Sequence, residues 1–174
     1  MLNIYINTWG NYNENGADGG EWITLPMDEN ELRETMERIA SAMGDHDAEW
    51  FVNDYEWMTE IELREIGENE HIIELNEWMQ KLDDLDVWDQ KEIAAAMEAW
   101  GYSFDEALDK HESGYFTFYP HMDLEEVAEE LVNSCYTPDT ATAEFFARYF
   151  DFSAFARDLR FDGYEETSYG VIVE

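Results

Sequence analysis

Apolar and polar positions alternate at the start of the chain. Leu2, Ile4 and Ile6 are separated by Asn3 and Tyr5, the period of a half-buried strand. The Gly- and Asn-rich stretch from Gly10 to Gly20 reads as a loop, and Trp22-Ile23-Thr24-Leu25 as a second strand ended by Pro26. The period then becomes helical. Leu32, Met36, Ile39, Ala40 and Met43 follow Asp28 and Glu31, spaced as a capping box, and Gly44 stands where a helix would stop. Trp50-Phe51-Val52 is a third strand candidate.

From residue 59 to 102 the pattern is helical throughout. Thr59 and Glu62 predict a short helix ending near Gly67; Ile72, Leu75, Met79 and Leu82 form one apolar stripe, and Ile93, Met97 and Trp100 another, closed by Gly101. Beyond that, Ser103 and Glu106 suggest a cap, and Tyr115 to Tyr119 a strand ended by Pro120. Asp123 opens a helix with Leu124, Val127, Ala128, Leu131 and Cys135 on its apolar side. Helices are predicted over about 141–150 and 152–159, and a last strand over 169–173. The expectation is an α+β protein of three small modules: mixed α/β over 1–58, all-helical over 59–102, and mixed α/β over 103–174. No long linker, low-complexity tract or clear repeat is evident. Trp22, Trp50, Trp78 and Phe155 are expected in the core, and Arg157 in an internal salt bridge.

Charge changes this picture most. The 174 residues carry 43 Asp and Glu against 9 Lys and Arg, a formal net charge of -34. Acidity of this kind often accompanies disorder. Here 45% of residues are hydrophobic and 16% aromatic, enough to bury a core and leave the carboxylates outside. Such a body repels nucleic acid and anionic membrane surfaces and attracts basic partners. With roughly one charge per 1.7 Å of duplex, 34 charges correspond to about 58 Å of B-DNA. The first residues lack a basic region and an apolar stretch, so no signal peptide is expected, and no 18-residue apolar run exists. The single Cys135 rules out an internal disulfide framework. A cytoplasmic protein is expected.

The acids are placed unevenly. Met1 to Leu32 holds six carboxylates and no Lys or Arg; His111 to Ala147 holds eight and again none; Glu60 to Glu92 holds twelve against Arg64, Lys81 and Lys91. Glu70, Glu74 and Glu77 are spaced to form one ridge with neighbours about 5–6 Å apart. Asp83 and Asp84 precede Asp86 and Asp89, which are three residues apart and followed by Glu92. Asp123 leads into Glu125, Glu126, Glu129 and Glu130, two adjacent rows on one helix. Like charges at these spacings weaken a helix slightly. Two readings stand side by side: a solvated acidic surface, as in adaptation to high salt, and a carboxylate array that occupies the Lys and Arg contacts an enzyme makes to DNA phosphates. In the second, the array offers no scissile bond and inhibits.

Catalytic chemistry finds little support. Asn11, Asn13, Asn15 and Gly16 imitate the start of an EF-hand loop, but its twelfth position is Trp22 and position one is not Asp. Pairs such as Asp84 and Asp86 arise by chance among so many acids, and the surface lacks the cations a nuclease needs. His46, His71, His111 and His121 have no metal-ligand spacing and read as surface or capping residues. Neither enzyme activity, metal nor cofactor is expected.

Several segments together resemble the ArdA family of antirestriction proteins. Tyr5-Ile6-Asn7 with Gly10, Tyr12-Asn13-Glu14, Gly20, Trp22 and Pro26 is similar to that family's opening signature. Asn53-Asp54-Tyr55-Glu56, Ile66-Gly67-Glu68-Asn69 and Glu74-Leu75-Asn76 look like its continuation, and Phe155-Ala156-Arg157-Asp158-Leu159 with Gly170 and Ile172 like its end. The resemblance covers nearly the full length and implies an elongated, three-module DNA mimic. It implies a homodimer formed through the C-terminal module, and a partner in the methyltransferase core (specificity and modification subunits) of type I restriction–modification enzymes. Neither nucleic acid nor membrane is an expected partner. Family members are carried by mobile elements and protect incoming DNA. The segment Leu124 to Tyr136, with Leu124, Val127, Leu131 and Tyr136, is the best match to the antirestriction motif and dimer region. An inhibitor of a different DNA-binding protein remains the alternative within the mimicry reading.

Overall fold

The computed structural model describes residues 1–44, 48–135, 141 and 148–174, with the backbone alone for Met43 and Cys135. Contacts divide the chain into two compact units, Met1–Asp86 and Val87–Glu174, a division that falls inside the expected helical stretch. Each unit is built on a three-stranded antiparallel sheet, so the protein is α+β.

In the first unit, β1 (Leu2–Thr8) lies between β2 (Glu21–Leu25) and β3 (Trp50–Trp57). The alternation in the sequence has its expected effect. Leu2, Ile4 and Ile6 are fully buried, as are Leu25 and, past a bulge between Tyr5 and Ile6, Phe51 and Val52. Helices α2 (Glu29–Met43) and α3 (Ile72–Asp83) supply Leu32, Ile39, Leu75, Met79 and Leu82 to the same core. Burying each such side chain contributes roughly 1.5–3 kcal/mol relative to exposure. Asp28 caps α2, accepting from the Asn30 and Glu31 N–H groups, and Gly44 ends it at φ 69°. The buried Asn76 of α3 pairs its amide with the Met27 backbone, accepting from N–H at 2.9 Å and donating to C=O at 3.0 Å.

Two expectations for this unit are corrected. The stretch read as a loop from Gly10 to Gly20 contains α1 (Trp9–Asn15) followed by a 3-10 turn at Gly16–Gly19. Thr8 caps α1 through Asn11 N–H, and buried Asn7 Oδ1 accepts from Thr8 N–H and the Asn11 amide, both at 2.8 Å. Asn15 in turn donates to Asn11 at 2.9 Å. The one buried residue of this helix, Asn11, is an amide satisfied by its neighbours, and Trp9 and Tyr12 pack on Phe51 as its aromatic contacts, so aliphatic periodicity does not register it. Residues 59–67, expected as a helix, contain none. The Thr59 hydroxyl donates to the Ile61 carbonyl at 3.1 Å instead of capping, and Ile61, Leu63 and Ile66 are buried from an irregular path.

In the second unit, β6 (Gly170–Val173) lies between β4 (Thr117–Pro120) and β5 (Glu165–Thr167). α4 (Val87–Trp100) buries Ile93 to Met97 and packs on the sheet and on α5 (Phe104–Glu112), whose Ser103–Glu106 capping box is complete in both directions. α6 (Leu124–Cys135) and α7 (Phe152–Leu159) enclose Leu124, Val127, Ala128, Ala156, Leu159 and Val171. β4 begins two residues later than expected and takes in Pro120, which an edge strand tolerates. β5, Glu-Glu-Thr, has no apolar residue and gave no strand signal. Gly170 is required where it stands: at φ 141°, a Cβ would come within 2.3 Å of the Tyr119 carbonyl. The helix expected over 141–150 lies mostly outside the described residues.

Candidate acidic interface

The carboxylates singled out in the sequence divide by what their neighbours do with them. Glu74 and Glu77 stand exposed on α3, on the side away from Leu75 and Met79. Glu70 does not join them. It precedes the helix, whose N-cap is His71, and its carboxylate takes the Arg64 guanidinium at 2.6 Å and Gly67 N–H at 3.0 Å. The Arg64 hydrogen bond holds Glu70 below the usual carboxylate range, against the opposing effect of partial burial, with Gly67 N–H adding to the lowering. The predicted three-acid ridge is therefore two acids and one internal ion pair.

Asp83 ends α3, Asp84 is its C-cap, and both are exposed, as is Asp86, the last residue of the first unit. Asp89 belongs to the second unit, in the first turn of α4, where its carboxylate lies 3.7 Å from His111 Nε2. Glu92 binds the other nitrogen of that ring, Nδ1. His111 is only 16% exposed, so its role is to tie α5 to α4 between two acids.

On α6 the four expected glutamates are all exposed, opposite the buried Leu124, Val127 and Ala128. Two of them also hold structure. Glu126 accepts from Asp123 N–H at 3.0 Å while Asp123 accepts from Glu126 N–H at 2.8 Å, a reciprocal cap. Glu125 accepts from the Ser153 hydroxyl of α7 at 2.7 Å. Glu129 and Glu130 are exposed, with no ion pair among the described residues. Leu124 and Val127 are core residues and Leu131 is half-buried at its edge; Tyr136 lies outside the described residues.

At least five of the nine cations are committed to ion pairs within the protein. Arg33 pairs with Glu29, Arg38 with Glu21, Arg64 with Glu70, Lys110 with Glu174 and Arg160 with Glu166. The Arg38 hydrogen bond lowers Glu21, and the Ser103 backbone N–H, joined by its hydroxyl, lowers Glu106. Arg157, expected in an internal salt bridge, is exposed and makes no ion pair among the described residues; Arg160, one turn on, holds that role at 2.7 Å. With 43 acids and 9 bases, one-to-one pairing can engage no more than nine of the carboxylates.

Other candidates fall into ordinary roles. His71 caps α3, accepting from Glu74 N–H, and His121 sits beside Lys91 at 3.2 Å; His46 lies outside the described residues. Asn11 is buried with its amide in the α1 network. Among the described residues no group of three or more His, Cys, Asp or Glu is arranged to hold a metal ion. Trp50, Trp78 and Phe155 are half-buried, but Trp22 is 48% exposed and does not belong to the core. The alternation in β2 carried that signal: Ile23 and Leu25 face inward, so Trp22 and Thr24 face out.

The family model for antirestriction protein (ArdA) matches residues 4–173. No curated protein matches the chain.

Proposed function

The chain belongs to the ArdA family of antirestriction proteins, which are inhibitors and not enzymes, and from that premise we propose that it works as a stoichiometric mimic of double-stranded DNA. In this reading it occupies the DNA-binding groove of a type I restriction–modification enzyme and blocks cleavage of incoming mobile-element DNA. The observation that carries the proposal is the asymmetry of charge use. At least five of the nine cations are committed to internal pairs, while carboxylates on α3, at the α3 end and on α6 face solvent.

Groove residues that hold DNA do so mainly through phosphate, independent of sequence. Carboxylates at helical spacing meet the same Lys and Arg side chains without presenting a reactive bond. The mimicking set is Glu74, Glu77, Asp83, Asp84, Asp86, Glu125, Glu129 and Glu130, with Asp123, Glu126, Asp89 and Glu70 contributing field more than contact. A homodimer through the C-terminal unit, where Phe161 is 88% exposed, and a cytoplasmic site of action belong to the same reading. No helix among the described residues is long and apolar enough to cross a membrane.

Titration of the protein into a complex of type I methyltransferase core and labelled duplex tests this. Stoichiometric release of DNA that weakens steeply with salt is expected. A folded protein that releases no DNA at low salt would direct the search to another DNA-binding target.

A further inference from the structure

We propose that the outer face of the first unit's sheet is a docking surface for an arginine-bearing protein surface, with Trp22 as its aromatic contact and Asp54 and Glu56 as its anions. The inference rests on the basic partner proposed above and names the side chain this face selects.

The face is fixed by register. Tyr5 pairs with Trp22 on one side and Asp54 on the other; Asn3 pairs with Thr24 and Glu56. Directly opposed residues share a face, and this is the face turned away from buried Leu2 and Ile4. Strand spacing puts the Trp22 and Asp54 backbones roughly 10 Å apart, with Tyr5 between them. Trp22, Thr24, Asp54 and Glu56 are all exposed, and neither carboxylate is paired with a cation among the described residues.

Trp22 is propped rather than loose. Its ring leans on Tyr5 at 5.5 Å between centroids. The Tyr5 hydroxyl donates to the Ala17 carbonyl at 2.6 Å, and its ring presses on Gly20, where a Cβ would come within 2.6 Å. A large aromatic side chain held in place at 48% exposure loses little freedom on binding. Flanked by anions, it suits a planar guanidinium, which stacks on the ring while carboxylates take its N–H groups. An ammonium gains less from the same surface. The aromatic contact is also less sensitive to salt than the carboxylates alone.

The test uses the full chain and no restriction enzyme, so its outcome is separate from the displacement titration. The Trp22 indole N–H resonance is assigned by its loss in Trp22→Phe, then followed while hexa-arginine or hexa-lysine peptide is added. Hexa-arginine is expected to shift it more than hexa-lysine. Trp22→Ala should weaken hexa-arginine binding about two- to fivefold at elevated salt and leave hexa-lysine binding unchanged. An indole that stays still while both peptides bind equally overturns the proposal. So does a shift that follows the protein's own concentration, which would make the face a self-association surface. A shifted indole with no DNA displacement would keep this surface and discard the proposed target.

Discussion

The carboxylate of Glu70 turns back onto the Arg64 guanidinium at 2.6 Å, one residue before the cap of α3, and the guanidinium lies over the Trp78 ring, 5.2 Å from its centroid. Glu70 is held below its ordinary range chiefly by that hydrogen bond. A depressed carboxylate adds stability above its unfolded value, and that contribution is lost as pH falls through the folded value. Glu70→Gln should therefore lower stability at pH 7 by about 1–2 kcal/mol. The gap between variant and parent should close as pH falls below about 4. Urea unfolding at the two pH values measures both, and an equal gap at both would show that the ion pair is not the source.

Asn76 holds the chain that leaves β2, matching both hydrogen-bonding groups of Met27 from a fully buried position. Gln80 adds a second bond to the same carbonyl at 2.9 Å. Asn76→Ala leaves the Met27 N–H without its acceptor and should cost about 1–3 kcal/mol. Asn76→Asp should cost more, because it keeps the acceptor, loses the donor and buries a charge in a body already strongly negative. Thermal unfolding of both variants checks the order; Asp milder than Ala would contradict it.

On α6, single substitutions Glu129→Gln and Glu130→Gln should each weaken partner binding by about 0.2–1 kcal/mol, the scale of one exposed charge contact. Replacing both together with Glu125→Gln should cost at least the sum, because the remaining field is also reduced. Glu126→Ala is different: it removes the acceptor of the Asp123 N–H, damages the α6 cap and should lower stability as well as binding. Competition assays paired with melting curves separate the two effects. A single Glu129 or Glu130 change that abolished inhibition in a folded protein would sink the distributed mechanism.

The elements legible in the sequence were those whose inward groups are apolar: β1 from Leu2, Ile4 and Ile6, α3 from Ile72, Leu75, Met79 and Leu82, α6 from Leu124, Val127 and Ala128. α1 was not legible, because its one buried residue, Asn11, is an amide held by Asn7 of β1, and its aromatic contacts, Trp9 and Tyr12, do not make an aliphatic stripe. The segment at 59–67 carries helix-like capping residues, yet Ile61, Leu63 and Ile66 are buried without a helix. β5 is a polar edge strand held by β6, by packing on α4 and by the Arg160–Glu166 ion pair, none of which its own sequence announces. Among the acids, spacing gave Glu74, Glu77, Glu129 and Glu130 correctly as exposed. It could not show that Arg64, six residues earlier on an irregular path, withdraws Glu70, or that His111 draws in Asp89 and Glu92.

Salt should move stability and inhibition in opposite directions. At -34, folded carboxylates repel one another, and added ions screen that repulsion over a Debye length that falls from about 30 Å at 0.01 M to about 8 Å at 0.15 M. Recovering about 1 kcal/mol would raise Tm by roughly 2–4 °C for a chain of this size. The same screening weakens attraction to a basic groove, so the concentration needed to displace DNA should climb as Tm rises. High-salt adaptation without a partner predicts the first trend alone. Melting curves and displacement titrations on one salt series distinguish the cases. A Tm that stays flat would mean the carboxylates repel too weakly, at their actual separations, to form the dense phosphate-like array that mimicry requires.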